Sequence, residues 1–248
     1  MKTSHNFAVV IPARYKSTRF PGKPLVDICG QTMVQHVWER CCSAVGVEKV
    51  YVATDDLRIE SEVRAFGGQV LLTSDSCLTG TDRLAEANKQ LDCDFIVNVQ
   101  GDEPLIEPTN ILKVIEKHLR TGNVTNAYCS IESENEHKSL NVPKVVCSLT
   151  EQLLYMSRAP IPLTKGGQFS FGYKQVCIYA FSREQLNFFS SHKEKTPLEN
   201  IEDIEILRFL EAGYHIDMVR VSDGSLAVDV PADVVAVTKK IEENKGAD

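Results

Sequence analysis

Arg14, Lys16, Arg19 and Lys23 place four cations within ten residues, together with Ser17, Thr18 and a Pro21-Gly22-Lys23-Pro24 turn. The formal net charge of the chain is -7, so this density of positive charge is local. Guanidinium and ammonium groups gathered on one short loop suit a polyanion, and a triphosphate is the simplest candidate. A solvated loop that happens to be basic is the plain alternative. Two acids, Asp102 and Asp229, each follow an apolar run and stand close to a proline. Projected from strand ends toward one rim, they would form a pair able to hold Mg2+, which takes one or two carboxylates plus phosphate oxygens and water. Either aspartate would serve equally well as a turn former.

These residues need a scaffold that brings loop ends together, and the surrounding pattern supplies one. The unbroken apolar run Phe7 to Ile11 reads as a strand buried on both faces of a parallel sheet, and Pro12 ends it. The basic loop therefore lies at the carboxyl end of the first strand, where open α/β sheets bind ligands. It is not a Walker A loop, because Gly-x-x-x-x-Gly-Lys-Ser/Thr is absent. Strand and helix patterns alternate through the first 120 residues, with strands at 50–54, 70–73 and 95–99 and helices after 32, 56, 80 and 108. The fold class is α/β, a mostly parallel sheet with helices on both faces. The rhythm changes after Gly122, and 141–175 reads as a smaller β-rich insertion lobe on a single domain spanning 1–248, covering the site and offering a dimer surface. Thr196-Pro197-Leu-Glu199 starts a helix expected to run to Gly213 through Ile201, Ile204, Leu207 and Leu210.

With 43% hydrophobic and 25% charged residues the chain suits a soluble protein with a sizeable core. Its acidic balance disfavours a nucleic-acid partner. No segment approaches the roughly 20 apolar residues that span a bilayer, and nothing near Met1 reads as a signal peptide, so a cytoplasmic location without membrane contact is expected. The eight cysteines form no Cys-x-x-Cys pair and the six histidines have no ligand spacing, which points to buried reduced thiols and no histidine metal site.

The stretch Ile11-Pro-Ala-Arg-Tyr-Lys-Ser-Thr-Arg-Phe-Pro-Gly-Lys-Pro24 resembles the opening signature of the 3-deoxy-manno-octulosonate cytidylyltransferases. Val97-Asn-Val-Gln-Gly-Asp-Glu-Pro104 resembles their second signature, and Val228-Asp229 with Pro231 resembles their Val-Asp-Thr-Pro. The resemblance implies a Rossmann-like nucleotidyltransferase fold and a Mg2+-dependent enzyme, in all expectation a homodimer. Such an enzyme activates an eight-carbon acidic sugar with CTP for lipopolysaccharide or capsule synthesis. It implies catalytic roles for Lys23, Arg14, Asp102 and Asp229, the two aspartates being the metal ligands. By the same matches Ala13, Arg14, Arg19, Lys23, Thr54, Asp55, Thr81, Arg83 and Gln100 enclose the nucleotide. Asp55-Asp56 reads alternatively as a second metal site or a helix cap, the cap being favoured for Asp56. On the acceptor side the resemblance implies Arg158, Gln175, Tyr179 and Glu205. Here the chain departs from the family: Gln175 stands where a histidine is usual, and Ile206 where a glutamine is. Those changes predict an acceptor other than the usual sugar, such as its 8-amino analogue, a nonulosonate or a phosphonate. A nucleotide-binding module without catalysis is the rival from a different class.

Overall fold

The computed structural model describes residues 6–17, 20–222 and 226–245, with side chains up to 243. At its centre is the run anticipated from the sequence, strand β1 (Phe7–Pro12). It pairs in parallel with β2 (Val50–Thr54) on one side and β4 (Phe95–Val99) on the other, and β2 pairs in parallel with β3 (Gln69–Leu72). Val9 and Ile11 point to one face, among Val34 and Val37 of helix α1 (Met33–Val45) and Ile111 and Val114 of α4 (Pro108–Thr121). Ala8 and Val10 point to the other, among Leu84 of α3 (Gly80–Asn88) and Leu186 and Phe189 of α5 (Arg183–Ser191). Each fully buried valine or isoleucine in this sandwich contributes about 1.5–3 kcal/mol, which is why both faces of the run are apolar. Helix α2 (Leu57–Ala65) starts where Asp56 accepts a hydrogen bond from the Arg58 amide, so Asp56 is the cap.

Beyond α4 the sheet changes character. Strand β5 (Val124–Ser130) runs in the direction of β4 but lies two places away. The gap is filled by β8 (Tyr173–Ser182), antiparallel to both neighbours, while β9 (Ile216–Arg220) pairs in parallel outside β5. The order is β9-β5-β8-β4-β1-β2-β3. Within the stretch expected to be an insertion, β6 (Lys144–Cys147) and β7 (Leu153–Ser157) form a hairpin, and β6 also pairs with β8. Val145, Leu153 and Met156 of the hairpin share one buried cluster with the central strands, so it extends the main sheet.

The long helix expected from Thr196 to Gly213 is broken. It divides into α6 (Pro197–Glu202) and α7 (Leu207–Glu211), with Asp203 in the left-handed region at φ 52°. Three physical causes coincide at the break. Arg158 takes the carbonyls of Glu202 and Asp203, which a continuous helix would need as acceptors. Glu205 is drawn away to the start of α3. Finally, Glu199 and Arg208, nine residues apart, form a buried ion pair at 2.6 Å. On a straight helix nine residues span about 13 Å, so that pair requires the bend. The final helix, α8 (Pro231–Lys245), packs Val237 and Ile241 against Ile28 and Met33. Among the described residues no helix is long and apolar enough to cross a membrane.

Candidate active site

The carboxyl ends of β1 and β4 are adjacent, and between them the sheet opens into a cleft. Close approach of the two ends depends on Gly101: a Cβ there would lie 2.9 Å from the Pro12 carbonyl oxygen. The basic loop returns through Gly22, at φ 72°, whose amide donates to the Tyr15 carbonyl at 2.9 Å. This turn aims Lys23 into the cleft. Its ammonium donates to Asp102 Oδ2 at 2.8 Å and to the Val228 carbonyl at 2.8 Å, and stands 4.0 Å from Asp229 Oδ1. The Val228 amide donates to the Asp102 carbonyl at 2.9 Å, which ties the two aspartate loops together. Asp233, in the first turn of α8, accepts from the amides of Asp229 and Val230 and so fixes the second loop. Two acids far apart in sequence thus share one cation at the rim.

Ala13, Arg14 and Ser17 continue this wall of the cleft. Arg19 lies outside the described residues. Gln100 lines the floor, and its side-chain amide nitrogen lies 3.1 Å from where a Cβ on Gly80 would stand. Arg83 also lines the cleft, paired at 2.9 Å with Asp55 and donating to the Thr73 hydroxyl. Asp55 therefore holds Arg83, and buried Thr54 steadies that turn by accepting from the Asp56 amide. Thr54 and Asp55 stand behind Arg83 and are not among the residues that line the cleft. Thr81 donates its amide and hydroxyl to Glu205, while Gly80 donates its amide to the same carboxylate. Burial raises the Glu205 pKa, although the donors of Thr81 and Gly80 pull the other way. Glu205 thus lines the cleft while capping α3 with its charge.

Of the acceptor residues expected from the sequence, Glu205 lines the cleft, and Arg158, Gln175 and Tyr179 stand in hydrogen-bond networks and core around it. Arg158 spends its guanidinium on three backbone carbonyls, those of Glu202, Leu140 and Asp203. Gln175 donates to Asn126 Oδ1 at 3.1 Å, and Asn126 in turn donates to the carbonyls of Val176 and Ile178. Those bonds fill the register shift between Val176 and Tyr179, so Gln175 supports a bulge in β8. Tyr179 is 8% exposed and stacked on Phe181, with burial holding its hydroxyl well above the ordinary pKa of 10. Ile206 is 1% exposed in the same core. Arg158, Gln175, Tyr179 and Ile206 are not among the residues that line this cleft. Thr79, Lys195 and Asp203, which sequence reasoning missed, do line it. Thr79 had a signal, the Thr-x-x-Asp82 capping box; Lys195 and Asp203 had none, because only the broken helix brings them there.

Asp102 and Asp229 suit Mg2+. Their side chains are about one third exposed, beside a basic loop able to hold phosphates. A two-carboxylate site completed by phosphate oxygens and water is the usual arrangement for that ion.

Comparison with known proteins gives the family. A cytidylyltransferase family model matches residues 8–218. A 3-deoxy-manno-octulosonate cytidylyltransferase of Geobacter metallireducens is 45% identical, over 94% of this chain and 96% of its own. An 8-amino-3,8-dideoxy-manno-octulosonate cytidylyltransferase of Shewanella loihica is 42% identical, over 92% of this chain and 96% of its own. The solved structure of a CMP:2-keto-3-deoxy-manno-octonic acid synthetase complexed with CTP superposes with a TM-score of 0.90 at 37% identity. That match covers 96% of this chain and 99% of that one. The chain belongs to the 3-deoxy-manno-octulosonate cytidylyltransferase family and is an enzyme of the nucleotidyltransferase kind.

Proposed function

We propose that this enzyme transfers CMP from CTP to the anomeric hydroxyl of 3-deoxy-manno-octulosonate, with Mg2+, and releases pyrophosphate. The observation that carries this reading is the meeting of Asp102 and Asp229 around Lys23 at the mouth of the cleft. The hydroxyl oxygen attacks the α-phosphorus, the bond to the β-phosphate oxygen breaks, and the hydroxyl proton passes to solvent. Mg2+ held by Asp102 and Asp229 would neutralise phosphate charge and polarise the reacting oxygens. Lys23 and Arg14 stabilise charge on the departing pyrophosphate, and Gln100, with Arg83 held by Asp55, shapes the nucleotide wall.

The Shewanella relative supports 8-amino-3,8-dideoxy-manno-octulosonate as a second acceptor. Pyrophosphate release from CTP, measured with each sugar and with or without chelator, tests the proposal. Release with 3-deoxy-manno-octulosonate that stops on chelation is expected; release with neither sugar would sink it. A cytoplasmic role in making lipopolysaccharide or capsule precursors follows from the same resemblance. We also place a homodimer contact on the 141–175 stretch, where Leu154, Leu163 and Phe171 are 57%, 46% and 60% exposed. Light scattering that gives the mass of one chain would remove it.

A further inference from the structure

The basic loop closes at a neck made by Tyr15 and Gly22, and that neck is gripped from outside by a helix that contributes nothing to the cleft wall. The Gly22 amide donates to the Tyr15 carbonyl at 2.9 Å, and a Cβ on Gly22 would lie 3.2 Å from three atoms of the Tyr15 phenol. One edge of the ring therefore rests against the returning limb of the loop. Over the ring face stands Arg58 of α2, its guanidinium carbon 3.2 Å from the ring centre. Helix α2 also lies beside the turn Lys23–Leu25 that ends the loop.

Arg58 is not free to turn away. Its Nε donates to Asp56 Oδ1 at 2.9 Å and its Nη2 to Asp56 Oδ2 at 2.7 Å, a pairing of two forks. Asp56 is fixed in turn: it caps α2 through the Arg58 amide at 3.0 Å, and its own amide donates to the buried Thr54 hydroxyl at 3.2 Å. The hydrogen bonds from Arg58 hold the Asp56 carboxyl below its ordinary value, so the pair keeps both charges at neutral pH. A rigid line thus runs from the end of β2 through Asp56 and Arg58 to the Tyr15 ring. Arg14 precedes that ring and Ser17 follows it, and both line the cleft. Further along the loop, Lys16 meets Asp75 at 4.0 Å with both side chains largely exposed, a contact that fixes little.

We propose that Arg58, locked by Asp56, is a positioning residue for CTP: it holds the Tyr15 ring on the neck of the basic loop and so fixes Arg14 and Ser17 for the phosphates. This rests on the reading of the basic loop as the seat of the CTP phosphates. Arg58 itself touches no substrate, because its fork is spent on Asp56 and its face on the ring. A guanidinium can present an edge to a carboxylate and a face to an aromatic ring at once, which an ammonium cannot.

Two measurements on the full chain test this: calorimetric titration with CTP and Mg2+ in the absence of acceptor, and steady-state kinetics with 3-deoxy-manno-octulosonate added. Arg58→Ala should weaken CTP binding and raise the KM for CTP about fivefold. The kcat and the acceptor KM should stay within twofold, because Lys23 keeps its own partners at Asp102 and Val228. Arg58→Lys should do no better than Arg58→Ala. Tyr15→Leu should raise the KM for CTP as much, yet add little when combined with Arg58→Ala, and Tyr15→Phe should restore most of the loss. Asp56→Asn, which keeps a good helix cap, should raise it about two- to threefold by loosening the fork. Absence of CTP binding by the unaltered protein would sink the basic-loop reading and this one together. Unchanged CTP binding in Arg58→Ala would overturn the Arg58 assignment alone. Recovery in Arg58→Lys, or tighter CTP binding in Asp56→Asn as the guanidinium is released, would overturn it in favour of a direct phosphate contact. A parallel loss of kcat, acceptor KM and unfolding free energy in Arg58→Ala would overturn it in favour of general support of the fold.

Discussion

The two ends of the cleft are built by different means. At the phosphate end the functional side chains sit in loops that follow strands, and the sheet itself brings those loops together. Arg14 and Lys23 follow β1, and Gln100 and Asp102 follow β4. At the opposite wall Lys195, Asp203 and Glu205 lie between helices instead of beyond a strand. Segments near 80, 140, 158 and 195–208 are joined there by hydrogen bonds and ion pairs, several of them buried. One end is specified by topology and the other by a polar network. A topological site tolerates loss of a side chain but loses chemistry; a network site loses shape first.

The sharpest test of that contrast is Glu199→Gln. Glu199 and Arg208 are both 0% exposed and joined through two hydrogen bonds of 2.6 and 2.8 Å. Removing the Glu199 charge leaves the buried Arg208 guanidinium with only the more distant Asp82 carboxylate, at 3.8 Å, which places the cost at the lower end of about 3–5 kcal/mol. Denaturant unfolding should show that loss; a change under about 1 kcal/mol would mean that packing alone holds the bend. At the phosphate end the signature should be reversed. Asp102→Asn and Asp229→Asn should each lower turnover at least a hundredfold, about 2.7 kcal/mol of barrier, with the unfolding transition unmoved. Near-normal rates for both variants, or full activity in excess chelator, would remove the two-aspartate metal site.

Lys23→Ala probes the same end more gently. If its ammonium stabilises charge that develops as pyrophosphate leaves, kcat should fall about tenfold while the KM for CTP moves little. A raised KM with kcat preserved would make Lys23 a binding residue only.

How much could be read in advance follows the same division. The strand run at 7–11 and the turn at Gly22 are local patterns that carry their meaning with them, and the aspartate after Gly101 is marked as a strand-end acid or a turn former by its neighbours alone. Arg158, Gln175 and Ile206 sit in segments whose sequence is equally well marked, yet their roles depend on partners 40 to 50 residues away: Arg158 with the Glu202 carboxylate at a separation of 44, and Gln175 with Asn126 at 49. The apolar spacing of 196–213 was that of one helix. It could not show that Glu205 would leave the helix to cap α3, or that Glu199 and Arg208 would pair only across a break. Lys195 was invisible because its position depends on that break.

The smallest expected effect concerns Glu202, the hub of the polar network around Arg158, and its sign depends on pH. Burial pushes its carboxyl up, but the Arg158 amide, the Ser157 and Tyr155 hydroxyls and the Arg158 charge together outweigh this, leaving it below the ordinary 4.5. A carboxylate lowered on folding contributes stability that is present above its unfolded value and lost as pH falls through its folded one. Glu202→Gln removes that contribution and should cost about 1 kcal/mol at neutral pH. The gap between the unaltered protein and the variant should therefore hold steady from pH 7 to about 5 and close as the pH drops below 4.5. Unfolding free energies of the two proteins measured across that range decide the point. A gap that persists unchanged through pH 3 would show that Glu202 acts through shape and not through its charge. The contrast between a charged network at this end and a topological site at the other would then have to be redrawn around Glu199 and Arg208 alone.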